Sequence, residues 1–384
     1  MKFPWKAFSS ITALIPVLLL YCGCGFDMPP LERTLIKWHS ISELDFTFGT
    51  GTADYTAVDL TREGYPFLYF VHGASPTYYH RFASWDGAIL TSGNEDIVYT
   101  NNTAPSGHPS AFCLDGRDRS HLCYVDSGGD LRYKGDASYP ELIGKPATSY
   151  NPGGLSIDTD SSGGVYILAA GNSKIYFIYF ASGEWQGCGN AIFNGGTASW
   201  LRIKVDSNDV IHIVFCEGNG NNHDIHYAYK KAGGNFKGLA GSIQTVTGGA
   251  TKIALALDKK GKPHIAYNDN GALKYSRLTG SAWTAAEDVH TNASGNLFDL
   301  EIDDNGYPHI ALITTNNGLL YNWKDMDNVN TAGDWHSKEV DTPANPSGSL
   351  DLSLDPERGF SFIFYCDDNA NAKKVKLGVV KWTH

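Results

Sequence analysis

The chain has 384 residues, 42 % hydrophobic, 12 % aromatic and only 18 % charged, which is ample apolar mass for a large packed core. Acidic side chains outnumber basic ones 41 to 30 and no basic stretch stands out, which argues against nucleic acid or an anionic membrane surface as a partner. Five cysteines in the body, none at metal-ligand spacing, leave no zinc signature.

Residues 1–24 read as an export signal. Lys2 and Lys6 give a positive start, Ile11 to Tyr21 an apolar core, and Cys22-Gly23-Cys24-Gly25 a run of small residues. The apolar run is too short for a comfortable membrane span. A cysteine closing the leader points to bacterial lipoprotein processing, with Cys24 after Gly23 a better acceptor than Cys22 after Tyr21. Tyr21 stands where a leucine is usual, so ordinary cleavage near Gly25 or Phe26 is the alternative; both routes export the protein. Residues 25–33, with Pro29-Pro30, read as a tether, and 34–384 as one folded body.

The body repeats. An aspartate closing the first strand of each unit is read at Asp59, Asp115, Asp158, Asp206, Asp258, Asp303 and Asp355, at intervals of 56, 43, 48, 52, 45 and 52 residues. Each unit reads strand, tight turn, strand, loop, strand, turn, strand. Blade five shows it best, with strands at Ile253 to Leu257, Pro263 to Tyr267, Leu273 to Arg277 and Trp283 to Val289. Runs that alternate or are wholly apolar, punctuated by Gly, Asn and Asp, favour strands over helices. A period near 50 residues built of such strands is a propeller blade. The expectation is all-β: seven four-stranded antiparallel blades.

The chain ends agree. Trp38-His39-Ser40 echoes Trp335-His336-Ser337, and Leu377 to Lys381 reads as a third strand with no fourth after it. Residues around Leu35 to Leu44 are therefore expected to complete blade seven and close the ring. With its Leu257-Asp258-Lys-Lys-Gly261-Lys-Pro263-His264-Ile-Ala-Tyr267 and Ile302-Asp303-Asp-Asn-Gly306-Tyr-Pro308-His309-Ile-Ala311 motifs, the chain resembles bacterial seven-bladed propellers of the sialidase-like, BNR-like superfamily from about residue 31 onward. Blade four lacks the proline, and blades one, three and seven lack the histidine. The resemblance implies a fold that hosts lectins, glycosidases, lyases and scaffolds alike.

Cys113 and Cys123 flank the turn of blade two symmetrically. Export makes an intra-hairpin disulfide feasible, and two buried thiols are the equal alternative. His121, His212, His264 and His309 hold one position in four blades, which suits a structural imidazole near the turn better than a catalytic group needed once. The turn aspartates are expected to accept backbone N–H groups. Asp158-Thr-Asp160 and Asp303-Asp304-Asn305 resemble calcium loops only superficially, so no metal or other cofactor is assigned and a structural calcium ion stays unsupported.

No nucleophile elbow, zinc-protease helix motif, Walker loop, Asp-box or arginine triad is present, and no catalytic residue is assigned. Seven residues before each repeat aspartate stand Thr52, His108, Asn151, Ser199, Thr251, Asn296 and Gly348, expected to ring the mouth of the central channel. Beside them Tyr150 and Trp200 offer aromatic faces for a sugar, and the longer loops of blades one and four add His72, Tyr78, Tyr79, His80, Glu217, His223 and Asp224. From these, the leading reading is a non-catalytic module binding a glycan or protein on its loop face, attached to a membrane only by a lipid anchor. A polysaccharide lyase or glycosidase and a docking component of the cell envelope are the alternatives.

Overall fold

The computed structural model describes residues 39–40, 44–48 and 52–382, apart from 75–76, 86–89, 93–95, 101–109, 127, 136–140, 151–153, 220–221, 232, 240, 248–251, 325–334 and 370–371. For 39–54, 72–81, 85–100 and 368–374 only the backbone is described. All of these residues belong to the unit Leu35–His384. The leader 1–24, the tether 25–33 and Cys24 lie outside them.

Among the described residues every regular element is a strand, and the strands form seven antiparallel sheets in chain order. Blade five follows the sequence closely: Ile253–Leu257 is innermost, then Pro263–Asp269, Ala272–Thr279 and an outer strand split into Ala282–Trp283 and Glu287–His290. The inner runs are apolar throughout because each blade is covered on both faces by its neighbours. Seven buried clusters result, one between each pair of successive blades and one, around Leu68, Phe70, Phe364 and Leu377, between blades seven and one.

The N-terminus closes the ring as expected. His39 and Ser40 pair with Val379 and Gly378, and Leu44 and Phe48 with Val375 and Lys373, so these residues are the outer strand of blade seven. This pairing covers the third strand of blade seven, which would otherwise be an open edge.

The turns after the inner strands correct two of the repeat assignments. Asp115, Asp206, Asp258 and Asp303 each accept the backbone N–H groups two and four residues on through one carboxylate oxygen. In blade three that role falls to Asp160, which bonds the N–H groups of Ser162 and Gly164, and in blade one the turn residue is Thr61. Asp158 and Asp59 lie two residues earlier, still within the strands Leu155–Thr159 and Thr52–Leu60. Their carboxylates face the next blade instead of their own turn.

Cys113 and Cys123 are free buried thiols. The strand register pairs Cys113 with His121 and Ala111 with Cys123, so the cysteines are diagonal rather than opposed. Diagonal positions lie about 7–8 Å apart, beyond the reach of a disulfide without backbone movement.

Candidate functional site

Each inner strand runs from the loop face, where the second strand also meets the third, to the turn face. At the turn face the four repeated histidines are buried. Their Nδ1 atoms lie 2.5–2.7 Å from the hydroxyls of Tyr133, Tyr227, Tyr275 and Tyr321. Their Nε2 atoms face the turn aspartates at 3.3–4.0 Å. Burial lowers the pKa of His212 and His264 against the pull of those carboxylates, so both imidazoles are neutral near pH 7. In blade three Tyr166 stands in for the histidine and donates directly to Asp160 at 2.8 Å. Four copies of one Asp–His–Tyr arrangement are a scaffold: they fix the turn to the third strand.

The channel is charged, which was not foreseen. Two residues before each turn residue stand Asp59, Cys113, Asp158, Lys204, Ala256, Glu301 and Ser353, and four before it Ala57, Ala111, Ser156, Arg202, Ala254, Asp299 and Asp351. Most of these residues line a central cavity of about 120 Å³, room for a few waters. Lys204 and Glu301 lie 3.6 Å apart and are 41 % and 26 % exposed, an exposure to the channel that both of them line. Burial raises Glu301 to about 7 despite Lys204, and Asp158 to about 6. Asp351 is raised well above the ordinary carboxylate range, by burial and by the Asp299 carboxylate beside it.

These charges tie blade to blade. Asp59, Asp158, Asp299 and Asp351 accept the backbone N–H of Leu114, Val205, Leu352 and Val58, each on the inner strand of the next blade, at 2.7–3.0 Å. Lys252 reaches from blade five to the carbonyls of Phe298 and Leu350, at 2.5 and 3.0 Å. Inner strands of different blades do not share a ladder, so side chains satisfy backbone groups that would otherwise be orphaned. The sequence signal was there: Arg202 and Lys204, and Asp299 and Glu301, alternate along otherwise apolar inner strands. Among the described residues no group of three or more His, Cys, Asp or Glu is placed to hold a metal ion.

At the loop face the inner strands are bulged in blades one, four, six and seven. Blades six and seven place Gly295 (φ 52°) and Gly348 (φ 69°) in these bulges; blade four places Trp200, at φ 54°. A bulky side chain in the left-handed region costs about 1–2 kcal/mol. Trp200 is half-buried and lies toward the loop-face end of the strand Thr197–Val205.

Several of the residues singled out from the sequence lie at this end of blade four, Glu217 and Asp224 paired on one face of its sheet and His223 on the other. Glu217 accepts the N–H of Gly196 at 2.6 Å and lies 3.0 Å from Nε2 of His226, whose ring stacks on Phe215 at 4.8 Å. His223 pairs across the sheet with Gly218, where a Cβ would stand 3.2 Å from its Nε2, and Asp224 accepts the Thr245 hydroxyl at 2.6 Å. His226 went unnoticed in the sequence, although Asp224-Ile225-His226 alternates as a half-polar strand does.

The others are not brought here. Tyr150 packs against the core between blades two and three, and burial raises its phenol pKa. Asn296, in blade six, accepts the Lys252 N–H at 2.9 Å and so serves the scaffold. The His72 backbone pairs with Ala53 and Tyr79, while its side chain, His108 and Asn151 lie outside the described residues.

No family model matches the chain, and no curated protein does. Solved structures do. The fold is that of a seven-bladed β-propeller. A protein of unknown function from Dyadobacter fermentans is 10 % identical with a TM-score of 0.56, over 90 % of this chain and 99 % of its own. The polysaccharide lyase Uly1 is 11 % identical with a TM-score of 0.54, over 85 % and 89 %. The Aleuria aurantia lectin, a point mutant in complex with Fucα1-6GlcNAc, is 13 % identical with a TM-score of 0.50, over 76 % and 97 %. At these identities the likeness is one of architecture; lectin and lyase share it.

Proposed function

We propose that this chain is an exported, lipid-anchored binding module that takes a glycan on its loop face, at the blade-four end of the channel mouth. Trp200 carries the reading. Glycine fills the corresponding bulges of blades six and seven, and a half-buried tryptophan at positive φ in blade four carries a backbone cost that glycine there would not. An indole face stacks on the C–H face of a sugar, and Glu217, His223 and Asp224 on the same blade supply polar partners. Binding is favoured over turnover because the unlike charges that converge from several blades lie in the channel and are engaged in blade-to-blade bonds. A cavity of about 120 Å³ has no room for a sugar chain. The docking alternative lacks a broad apolar patch among the described residues, where Leu142 and Phe180 are the exposed large hydrophobics.

The test is a glycan array with purified residues 25–384, fucosylated glycans included, against Trp200→Gly, a change that suits the backbone at this position. Specific binding lost in the variant supports the site. Failure of the wild type to bind any glycan, or equal binding by both proteins, overturns it.

A further inference from the structure

The strand topology fixes where the tether enters. The outer strand of blade seven begins at His39, opposite Val379 near the end of the strand Ala372–Lys381, and reaches Phe48 opposite Lys373 near its start. Ala372 is at the loop face and Lys381 at the turn face, so the chain enters the propeller on the turn face. Fifteen positions separate Cys24 from His39, a reach of at most about 50 Å when extended. An anchor at Cys24 would therefore be joined to the propeller from its turn face.

Across the ring from that entry, the same face carries lysines from two adjacent blades. Lys230, Lys231 and Lys237 lie in and beside the connection after the third strand of blade four, and Lys259, Lys260 and Lys262 in the inner turn of blade five. Lys231, Lys237, Lys259 and Lys260 are exposed. Lys259 is tied to Asp304 at 2.6 Å, and Lys230 lies over the Phe177 ring, 5.1 Å from its centroid. The acidic groups in the inner turns of these two blades are Asp206 and Asp258, which accept backbone N–H groups of their own turns, and Asp209, which accepts the N–H of Ser161. The overall negative charge of the chain hides this sector, but screening over about 8 Å at physiological ionic strength makes the local charge decisive at a surface.

We infer that the turn face rests on an anionic lipid surface, with the tether at blade seven and the lysine sector of blades four and five as contacts on opposite sides of the ring. The loop face then points away from the membrane. The orientation rests on the lipid-anchored reading proposed above; the lysine contact is tested without it. Two contacts on opposite edges lay a disc flat, whereas a single tether lets it swing. A lysine at an anionic membrane surface contributes about 1 kcal/mol, or roughly fivefold in partitioning.

The ring closes within the described residues, so residues 25–384 contain a complete propeller. Co-sedimentation of this protein with phosphatidylcholine vesicles, with and without 30 mol % phosphatidylglycerol, reads the contact. The expected result is binding that needs phosphatidylglycerol, falls with added salt, and drops about 100-fold in the triple variant Lys231→Glu, Lys237→Glu, Lys260→Glu. The loop-face change Lys174→Glu is expected to leave vesicle binding intact, and the triple variant to keep the melting temperature and glycan binding of the wild type. Equal partitioning onto both vesicle types, or a triple variant that binds as well as the wild type, overturns the inference. The mass of Cys24-containing peptide from the exported full chain reports lipidation separately, so loss of the anchor and loss of the lysine contact are distinguishable.

Discussion

Thr56 and Ser349, 293 positions apart, join the inner strands of blades one and seven. The Thr56 N–H donates to the Ser349 hydroxyl at 2.6 Å, the Thr56 hydroxyl to the Ser349 carbonyl at 3.0 Å, and the Ser349 hydroxyl lies 3.1 Å from the Thr56 carbonyl. With Asp351 accepting from Val58 at 2.7 Å, this pair closes the inner ring as the N-terminal strand closes the outer one. Ser349→Ala strands a buried N–H, at about 1–3 kcal/mol. The melting temperature of residues 25–384 is expected to fall by roughly 2–12 °C, at the 2–4 °C per kcal/mol typical of large domains. An unchanged melting temperature would show that ring closure does not depend on this contact.

Acid–base behaviour should follow the channel. Burial holds Glu301 near 7 in the fold against an ordinary value of 4.5, so the folded protein binds this proton more tightly than the unfolded chain. Glu301 therefore imposes no penalty below about pH 4.5, and one that grows as pH rises to about 7 and levels off above it. Replacement by glutamine, which mimics the protonated form, is expected to raise the melting temperature by a few degrees at pH 8 and to leave it nearly unchanged at pH 5. The buried neutral His212 and His264 act oppositely, losing stability as pH falls through their unfolded value of 6.5, but they contribute equally to both proteins and cancel in the difference. A difference that does not vary with pH would place the Glu301 proton elsewhere.

The cysteines offer a chemical check on the hairpin register. Cys113, Cys123, Cys216 and Cys366 are at most 6 % exposed, and Cys188 is the partly exposed one of the five. Native treatment with a maleimide is expected to modify Cys188 first, slowly because burial raises its pKa, and the others only on unfolding. A reductant should leave the melting temperature unchanged. Resistance of Cys113 and Cys123 to maleimide after denaturation without reductant would reveal a bridge between them.

Periodicity carries strands well because it reports which faces are covered, and a blade is covered on both. That is why blade five was legible to within a residue or two, and the closing strand by its place in the ring, although it starts at His39 and runs on to Phe48. Asp59 and Asp158 were misread because an aspartate two residues from a turn looks like one in it; only the register shows that Thr61 and Asp160 turn the chain. The channel charges were missed for a related reason. The alternation of Arg202 with Lys204 and of Asp299 with Glu301 marks one side of an inner strand as polar, but that this side faces the axis depends on how seven blades pack together. Trp200 was legible as an aromatic toward the loop face, but its left-handed backbone was not, since nothing local to Ser199-Trp200-Leu201 announces a bulge.

That backbone can be measured by comparing Trp200→Gly with Trp200→Ala. Both remove the indole and the area it buries, so the lost packing is common to the pair. They differ in the left-handed conformation at φ 54°, which glycine adopts freely and alanine at a cost of about 1 kcal/mol. In an ordinary strand the order is reversed, because glycine has more conformational freedom to lose on folding. The glycine variant is therefore expected to be the more stable by about 1 kcal/mol in a denaturant titration, with both variants silent on any glycan that the wild type binds. Alanine equal to or above glycine would mean that the bulge relaxes once the ring is gone. The strain at Trp200 would then be imposed by the indole itself, and the case that this backbone was shaped to present it would fail.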